Sequence, residues 1–112
     1  MDNNLNPIPA TIFDIGTHLY NNGALMSNNC SFIPGPYLYM PKLESYEDAL
    51  FVNKVITEAQ TILGLPEGTT KVTALVETFP AVFQINEIIY GLKEHIVALN
   101  CGRWDYLYSM IK

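Results

Sequence analysis

Two acidic residues, Glu77 and Asp105, are the side chains in this sequence best suited to chemistry. Glu77 directly follows the apolar run 71–76, and Asp105 comes shortly after the run 97–103, so both acids stand near the ends of predicted strands. Mg²⁺ prefers oxygen ligands and keeps water or substrate oxygens in its shell, whereas zinc sites usually include Cys or His. If the two strands lie side by side, the carboxylates can converge, and the sequence predicts a Mg²⁺ site.

A second candidate binding element is the turn formed by Gly102, Arg103, Trp104 and Asp105. A glycine lets the backbone approach a ligand closely, and the unpaired amides at the start of a helix bind anions. A small carboxylate can rest on such a turn while its other oxygens reach a metal. The turn therefore suits a 2-oxo acid, recognised by its anion and its carbonyl together.

Each of these polar residues also has a simpler interpretation. Glu77 is explained equally by the preference of acids for the positive end of a helix, and Asp105 by the capping of a helix start. Lys42 and Glu44 follow another predicted strand and fit the solvated residues of an ordinary loop. The individual residues do not decide between these interpretations, and only their convergence in space would favour a site.

The predicted helices and strands alternate along the chain. Ser45 is typical of a helix start and Gly64 of a helix end, which delimits the clearest helix. The predicted elements are a helix at 11–26, a loop at 28–35, a strand at 37–40, a helix at 46–63, a strand at 71–76, a helix at 81–95, a strand at 97–102 and a last helix at 105–111.

This alternation predicts an α/β fold with about three parallel strands joined by right-handed helical crossovers. In such folds, functional groups collect at the carboxyl ends of the strands. Three strands are too few to close a barrel, so the pattern fits either an arc of a barrel or a small three-layer α/β unit. The strands at 37–40 and 71–76 are expected to be buried.

Composition limits the classes of function. The chain has 112 residues, 49% of them hydrophobic and 15% charged, with a net charge of −5. These values predict a single domain over 1–112 that buries more than one face, or a small domain with an exposed apolar surface. The absence of a basic cluster argues against nucleic-acid binding, and no apolar run or N-terminal signal indicates a membrane span or secretion.

The cysteines and histidines show no spacing typical of metal ligands. Cys30 and Cys101 are expected to be free thiols rather than a disulfide, because the chain has no features of a secreted scaffold. His18 and His95 lie on or near predicted helices, away from any ligand pattern, and are expected to be structural.

The segment 93–106 resembles the signature of the malate synthase family. The most specific match is the octapeptide Leu-Asn-Cys-Gly-Arg-Trp-Asp-Tyr at 99–106. The segments 38–45, 76–78 and 87–95 are also similar to the family's sequence. Two positions beside the signature, Ala98 and Tyr108, depart from the usual Gly and Phe.

The resemblance implies a (β/α)₈ TIM barrel, of which this chain covers about three strands. It implies that Glu77 and Asp105 ligate Mg²⁺ and that Gly102, Arg103, Trp104 and Asp105 hold glyoxylate. Enzymes of this family condense glyoxylate with acetyl-CoA in the glyoxylate cycle. Their catalytic base and enolate-stabilising arginine fall outside this segment, so the rest of such a chain is an expected partner, in the cytoplasm or in peroxisomes or glyoxysomes.

Two other functions are compatible with parts of the sequence. A lyase related to the citrate lyase β-subunit would also use Mg²⁺ on a Glu and an Asp, and the run 41–45 fits such enzymes. A non-catalytic α/β module that binds a partner through apolar surface is the second alternative. The octapeptide at 99–106 favours malate synthase over the lyase, and binding of Mg²⁺ and glyoxylate would argue against the non-catalytic module.

Overall fold

A computed structural model of the chain describes residues 3–4, 6–29 and 35–112. None of the helices within these ranges has the length and apolar composition needed to cross a bilayer. The elements are α1 (Ala10–Asn29), β1 (Tyr37–Met40), α2 (Tyr46–Leu63), β2 (Lys71–Val76), α3 (Phe79–Val82), α4 (Ile85–Gly91), β3 (Ile96–Cys101) and α5 (Arg103–Ile111).

The three strands form one sheet in the order β1-β2-β3, and both pairs are parallel. Tyr37 pairs with Lys71 at one end of β1, and Val76 pairs with Cys101 at the end of β2. The predicted parallel α/β arrangement is confirmed. The strands at 37–40 and 71–76 have the predicted bounds, and the third is shifted by one residue.

The core lies between one face of this sheet and the helices. The alternate residues Val72, Ala74 and Val76 of β2 are buried, whereas the intervening residues of the strand are only half-buried. The other members of the hydrophobic core come from α1, the end of β1 and the loop after it, α2, α3, and α4 with its C-cap: Ile15, Leu19, Met40, Leu43, Ala49, Val52, Ile56, Ala81, Ile88 and Leu92.

The prediction that β1 is a buried strand is wrong for half of its residues. Tyr37 and Tyr39 are 48% and 52% exposed, although Met40 is buried. The two tyrosines pair with Lys71 and Thr73, which alternate with the buried residues of β2 and are themselves only half-buried. Burial of a residue in β1 depends on whether its side chain faces the helices. A local run of apolar residues does not reveal which face that is.

The predicted caps of α2 are both present. The Ser45 hydroxyl accepts from the Asp48 amide, and the Asp48 carboxylate accepts from the Ser45 amide, which makes a reciprocal capping box. Gly64 ends the helix with φ of 66°, a left-handed conformation that glycine adopts without steric cost.

The single helix predicted for 81–95 is wrong. The chain instead forms α3 and α4, separated at Phe83 and Gln84, and turns lead from α4 into β3. Gln84 leaves the helical region, with φ of −127°, and its side-chain oxygen accepts from the Tyr46 amide at 3.1 Å. This tertiary contact with the start of α2 accompanies a break that the apolar spacing does not indicate.

The N-terminal helix is longer than the sequence predicts. It ends at Asn29 rather than near residue 26, so the first two residues of the predicted loop 28–35 belong to α1. Residues 30–34, including Cys30, lie outside the described residues. Cys101 is a free, exposed thiol, as expected.

Candidate metal and substrate site

The two acids stand at the same edge of the sheet because their strands are parallel neighbours. Glu77 follows the last residue of β2, and Asp105 lies in the first turn of α5, after β3. The Gly102 amide donates to the Val76 carbonyl at 2.9 Å, so backbone pairing continues one residue past β3. This bond aligns the two loops that carry the carboxylates.

Glu77 is a buried carboxylate with a fixed position. Its side chain is only 3% exposed, and its Oε1 accepts from the Lys42 amide at 2.8 Å. Lys42 has φ of 59°, a left-handed conformation that costs a residue with a Cβ about 1–2 kcal/mol. Backbone strain of this kind is common at functional sites, and here it accompanies the bond that holds Glu77.

Gly102 is required by the close approach of Glu77. A Cβ built on Gly102 would lie 2.5 Å from the Glu77 Cβ and 2.9 Å from its Oε2. No side chain fits at this distance without moving the carboxylate. The sequence predicts a close approach between this glycine and a ligand, and the structure adds that the glycine also makes room for a predicted metal ligand.

Asp105 is the more accessible of the two acids, with a side chain 50% exposed. The Lys42 ammonium donates to its Oδ1, and this bond is the main reason that the pKa of Asp105 lies below its usual value. A side-chain contact with Glu77 also lowers this pKa. Both carboxylates face the same Lys42 ammonium, so the structure brings the two predicted ligands to one place.

The simpler interpretations of these residues are only partly correct. Gly102, not Asp105, is the N-cap of α5, so Asp105 is not a helix cap. Thr78 caps α3 and Glu77 precedes it, which excludes Glu77 from the helix itself. Glu44 is exposed, as a loop residue would be, but Lys42 contacts both acids. The sequence indicates only that Lys42 follows a predicted strand, and this position does not predict its ion pairs with the two acids.

A cavity of about 180 Å³ opens over the two carboxylates. This volume equals about six water molecules at about 30 Å³ each, enough for a hydrated cation and a small acid. Its lining includes charged groups of both signs and hydroxyl groups, contributed by Lys42, Glu44, Glu77, Thr78, Asp105, Tyr108, Ser109 and Lys112.

Of the four residues predicted to bind substrate, Asp105 lines this cavity, whereas Gly102, Arg103 and Trp104 do not. Trp104 is 75% exposed, and the Arg103 guanidinium lies 5.2 Å from the centre of its ring. No side chain caps the start of α5, because its N-cap is Gly102. The predicted contribution of 102–105 to substrate binding therefore depends on backbone amides of the first turn rather than on these two side chains.

The donor set fits Mg²⁺ better than a transition metal. Within 3–4, 6–29 and 35–112, no group of three or more His, Cys, Asp or Glu side chains is placed to hold an ion. Two carboxylates with open positions suit Mg²⁺, which usually keeps several waters and substrate oxygens in an octahedral shell. A structural zinc site would need four protein ligands.

A larger cavity of about 590 Å³ lies on the other side of the Gly102 turn. It contains no carboxylate, so it is not a candidate for the metal. Its lining is mainly apolar and comes from the ends of β2 and β3 and from α3, α4 and α5: Val76, Val82, Ile85, Cys101, Gly102, Arg103, Tyr106 and Leu107.

Two hydroxyl side chains that the sequence did not single out hold the loops around the site. The Thr78 hydroxyl donates to the Leu43 carbonyl at 2.7 Å and so ties the end of β2 to the loop after β1. The Ser109 hydroxyl accepts from the Phe79 amide at 2.9 Å and so links α5 to α3. Isolated Ser and Thr residues give no sequence signal for such roles.

The histidines are structural, as expected. His95 is buried before β3, where its Nδ1 lies 3.0 Å from the Thr70 carbonyl oxygen and its Nε2 lies 3.2 Å from the Thr57 hydroxyl. Burial lowers the pKa of His95, and the Thr70 carbonyl partly opposes that shift. His18 contacts Asn22 within α1. Neither histidine belongs to the cavity at the two acids.

Comparison with known proteins assigns the family. The family model described as the malate synthase TIM barrel domain matches residues 1–112. Malate synthase A of Escherichia coli (strain K12) is 45% identical over 106 residues, covering 94% of this chain and 19% of the relative. Glyoxysomal malate synthase of Ricinus communis is 42% identical over 106 residues, and malate synthase of Myxococcus xanthus (strain DK1622) is 44% identical over 106 residues.

Each of the latter two alignments covers 95% of this chain and 19% of the relative. The chain thus spans about a fifth of the length of these curated relatives. Its three parallel strands with intervening helices are part of a barrel rather than a closed one. The chain belongs to the malate synthase family, within its TIM-barrel domain.

Proposed function

We propose that this chain supplies the Mg²⁺- and glyoxylate-binding part of a malate synthase, which condenses glyoxylate with acetyl-CoA and water to give malate and CoA. The observation that carries this proposal is that Glu77 and Asp105 follow neighbouring parallel strands, line one cavity and face the same Lys42 ammonium. Family membership supports the reaction, and the carboxylate pair supports the metal.

The two acids have different roles in this site. Glu77 is buried and fixed by the Lys42 amide, so it provides a ligand whose position is set before the metal arrives. Asp105 is half-exposed and can adjust to complete the coordination. Mg²⁺ bound to both would polarise the aldehyde carbonyl of glyoxylate and make its carbon electrophilic.

Glyoxylate is held by its other end. Its carboxylate is a small anion, and the first-turn amides of Arg103 and Trp104 at the start of α5 suit such a group. Gly102 leaves the approach to these amides clear of a side chain. Binding the anion at the helix start and the carbonyl at the metal would fix one orientation of the substrate.

Removal of a proton from acetyl-CoA needs groups that this segment does not supply. Glu77 and Asp105 are committed to the cation in the proposed site, which leaves neither of them available as a base. From the resemblance to the family, we expect the base and an enolate-stabilising arginine to lie outside 1–112. We therefore expect no malate synthesis from the isolated chain, even with Mg²⁺ present.

The names and organisms of the relatives support a broad proposal for the compartment of the parent enzyme. The relative from Ricinus communis is named a glyoxysomal enzyme, whereas two of the relatives are bacterial. We propose that the parent enzyme works in the cytoplasm or in peroxisomes or glyoxysomes.

The test is metal binding by an Asp105→Asn variant of the gene product that carries this segment. The substitution keeps the shape of the side chain but removes a charged ligand. We expect the dissociation constant for Mg²⁺, measured by calorimetry, to rise at least about tenfold, since even outer-shell changes cost 10–100-fold in metal affinity. Malate formation should fall with it.

Glu58→Gln is the matched control, because Glu58 is an exposed acid on α2 whose ion-pair partner is Lys54. It changes the net charge by the same amount and should leave Mg²⁺ affinity unchanged. Absence of Mg²⁺ and glyoxylate binding by the unaltered protein would contradict the proposal and favour a non-catalytic module. Cleavage of an acyl-CoA thioester without malate formation would favour the lyase alternative.

A further inference from the structure

Lys42 has no role in the proposed reaction, yet its amide binds Glu77 and its ammonium forms ion pairs with both acids. We infer that its ammonium is a built-in counter-ion that competes with the divalent cation for Glu77 and Asp105, and so sets the metal affinity of the site. This inference rests on the proposed metal site.

The contacts of Lys42 involve both acids and both parts of the residue. Its amide donates to Glu77 Oε1 at 2.8 Å, and its Nζ lies 4.0 Å from the same oxygen. The Nζ also donates to Asp105 Oδ1. One cationic group is therefore shared by the two carboxylates proposed to bind the metal.

Charge explains why a cation belongs at this position. Two carboxylates that line one small cavity repel each other when both are ionised, and Glu77 is too buried for water to screen it well. The ammonium offsets that repulsion and keeps the two acids close together. Among the groups lining the cavity, Lys42 is the cation that forms ion pairs with these acids.

The ammonium and a divalent cation cannot hold the same two carboxylates at once. Mg²⁺ binds its oxygens at about 2.0–2.1 Å, so an ammonium on the same oxygen atoms would lie within a few ångströms of a double positive charge. The Lys42 side chain is 60% exposed and has four flexible bonds, so it can leave toward solvent. Metal binding therefore includes the displacement of Lys42.

The backbone of Lys42 allows its two functions to be separated. With φ of 59°, Lys42 occupies a conformation in which glycine is unstrained. Lys42→Gly keeps the amide that binds Glu77 and removes the whole side chain with its ammonium, whereas Lys42→Met removes the charge but keeps the length of the side chain. Lys42→Arg keeps the charge.

The experiment measures Mg²⁺ affinity by calorimetry in the metal-stripped gene product that carries this segment. Loss of a competing ion pair as exposed as this one should tighten the dissociation constant about two- to fivefold in Lys42→Met and in Lys42→Gly. Lys42→Arg should stay near the original value. Lys54→Met, which removes a lysine paired with Glu58 on α2, should have no effect.

A second measurement uses thermal unfolding instead of a binding titration. Lys42→Met should lower the thermal unfolding temperature of the metal-stripped protein more than that of the Mg²⁺-loaded protein, because the ammonium acts only while the metal is absent. Added salt should reduce both differences, since the pair is exposed.

The outcomes separate the two proposals. Unchanged or weaker Mg²⁺ binding in both Lys42→Met and Lys42→Gly, with Asp105→Asn still impaired, would overturn the counter-ion role and leave the metal site standing. Absence of Mg²⁺ binding in the original protein and in every variant would overturn both. Because one of the two substitutions relieves backbone strain, failure of the other to fold leaves the test decisive.

Discussion

At the scale of single residues, the site combines a rigid acid with an adjustable one. Glu77 is held by the Lys42 amide and packed against Gly102, whereas Asp105 stands half-exposed in the first turn of a helix. In the proposed site, a fixed ligand would define where the cation binds, and an accessible one would let the cation enter. Preorganisation of this kind reduces the rearrangement that binding requires.

Gly102→Ala tests how strictly Glu77 is positioned. The new Cβ would lie 2.5 Å from the Glu77 Cβ, so the carboxylate must move, and we expect Mg²⁺ affinity to fall about tenfold or more. Overpacking should also cost about 1–3 kcal/mol of unfolding free energy. Calorimetry and urea unfolding of the gene product measure the two effects.

Gly16→Ala is the matched control for this substitution. A Cβ at Gly16 meets nothing within 4 Å, and the residue lies inside α1. The change should therefore leave Mg²⁺ affinity unaltered and raise stability by about 0.5–1 kcal/mol. Equal Mg²⁺ affinity in the two variants would show that Gly102 does not position the carboxylate.

At the scale of elements, His95 joins three parts of the fold. It links Thr57 on α2 and Thr70 before β2 to its own position at the start of β3. Because the Thr70 carbonyl can only accept, Nδ1 carries the proton of the neutral ring and Nε2 accepts from Thr57. A second proton would have to replace the Thr57 hydrogen bond inside the core.

This arrangement predicts a loss of stability in mild acid. The pKa of folded His95 is lowered, so the unfolded chain binds the proton more tightly than the folded chain does. The contribution is complete above the unfolded pKa of about 6.5, and it decreases as pH falls through that value toward the lower folded pKa. The slope for one proton is at most about 1.4 kcal/mol per pH unit.

Urea unfolding of the gene product at several pH values between 5 and 8 measures this slope. His95→Gln keeps a polar side chain but removes the titrating ring, so the variant should be less stable at pH 7.5 and should lose part of the dependence on pH. Identical pH dependence in the two proteins would rule out His95 as the source.

The elements predicted well from the sequence are those whose pattern is local. The capping residues Ser45 and Gly64 define α2 directly, and the apolar run at 71–76 defines β2. The break at Gln84 could not be predicted, because it coincides with a contact to Tyr46, 38 residues away. The exposure of Tyr37 and Tyr39 depends on which face of the sheet the helices cover.

The convergence of the two acids is the part of the site that could be predicted from the sequence. Glu77 and Asp105 follow strands, and parallel topology brings the ends of neighbouring strands together whatever the details. The ion pairs of Lys42 could not be predicted, because they require the left-handed backbone of a loop and a contact across 63 positions.

At the scale of the whole molecule, the sheet is incompletely covered within the described part of the chain. Val97, Leu99 and Cys101 are exposed on the edge strand β3, although Leu99 and Cys101 pair with the buried residues Ala74 and Val76. The curated relatives are about five times longer than the matched segment. In a closed (β/α)₈ barrel, further strands and helices cover such surfaces.

The central claim is that Glu77 and Asp105 bind one divalent cation together. The most direct measurement is a crystal structure of the gene product soaked in Mn²⁺, which takes the same oxygen ligands as Mg²⁺ and scatters anomalously. We expect one anomalous peak coordinated by an oxygen of each carboxylate, with the Lys42 ammonium displaced from both. Mn²⁺ bound elsewhere, with the two carboxylates still paired to Lys42, would contradict it.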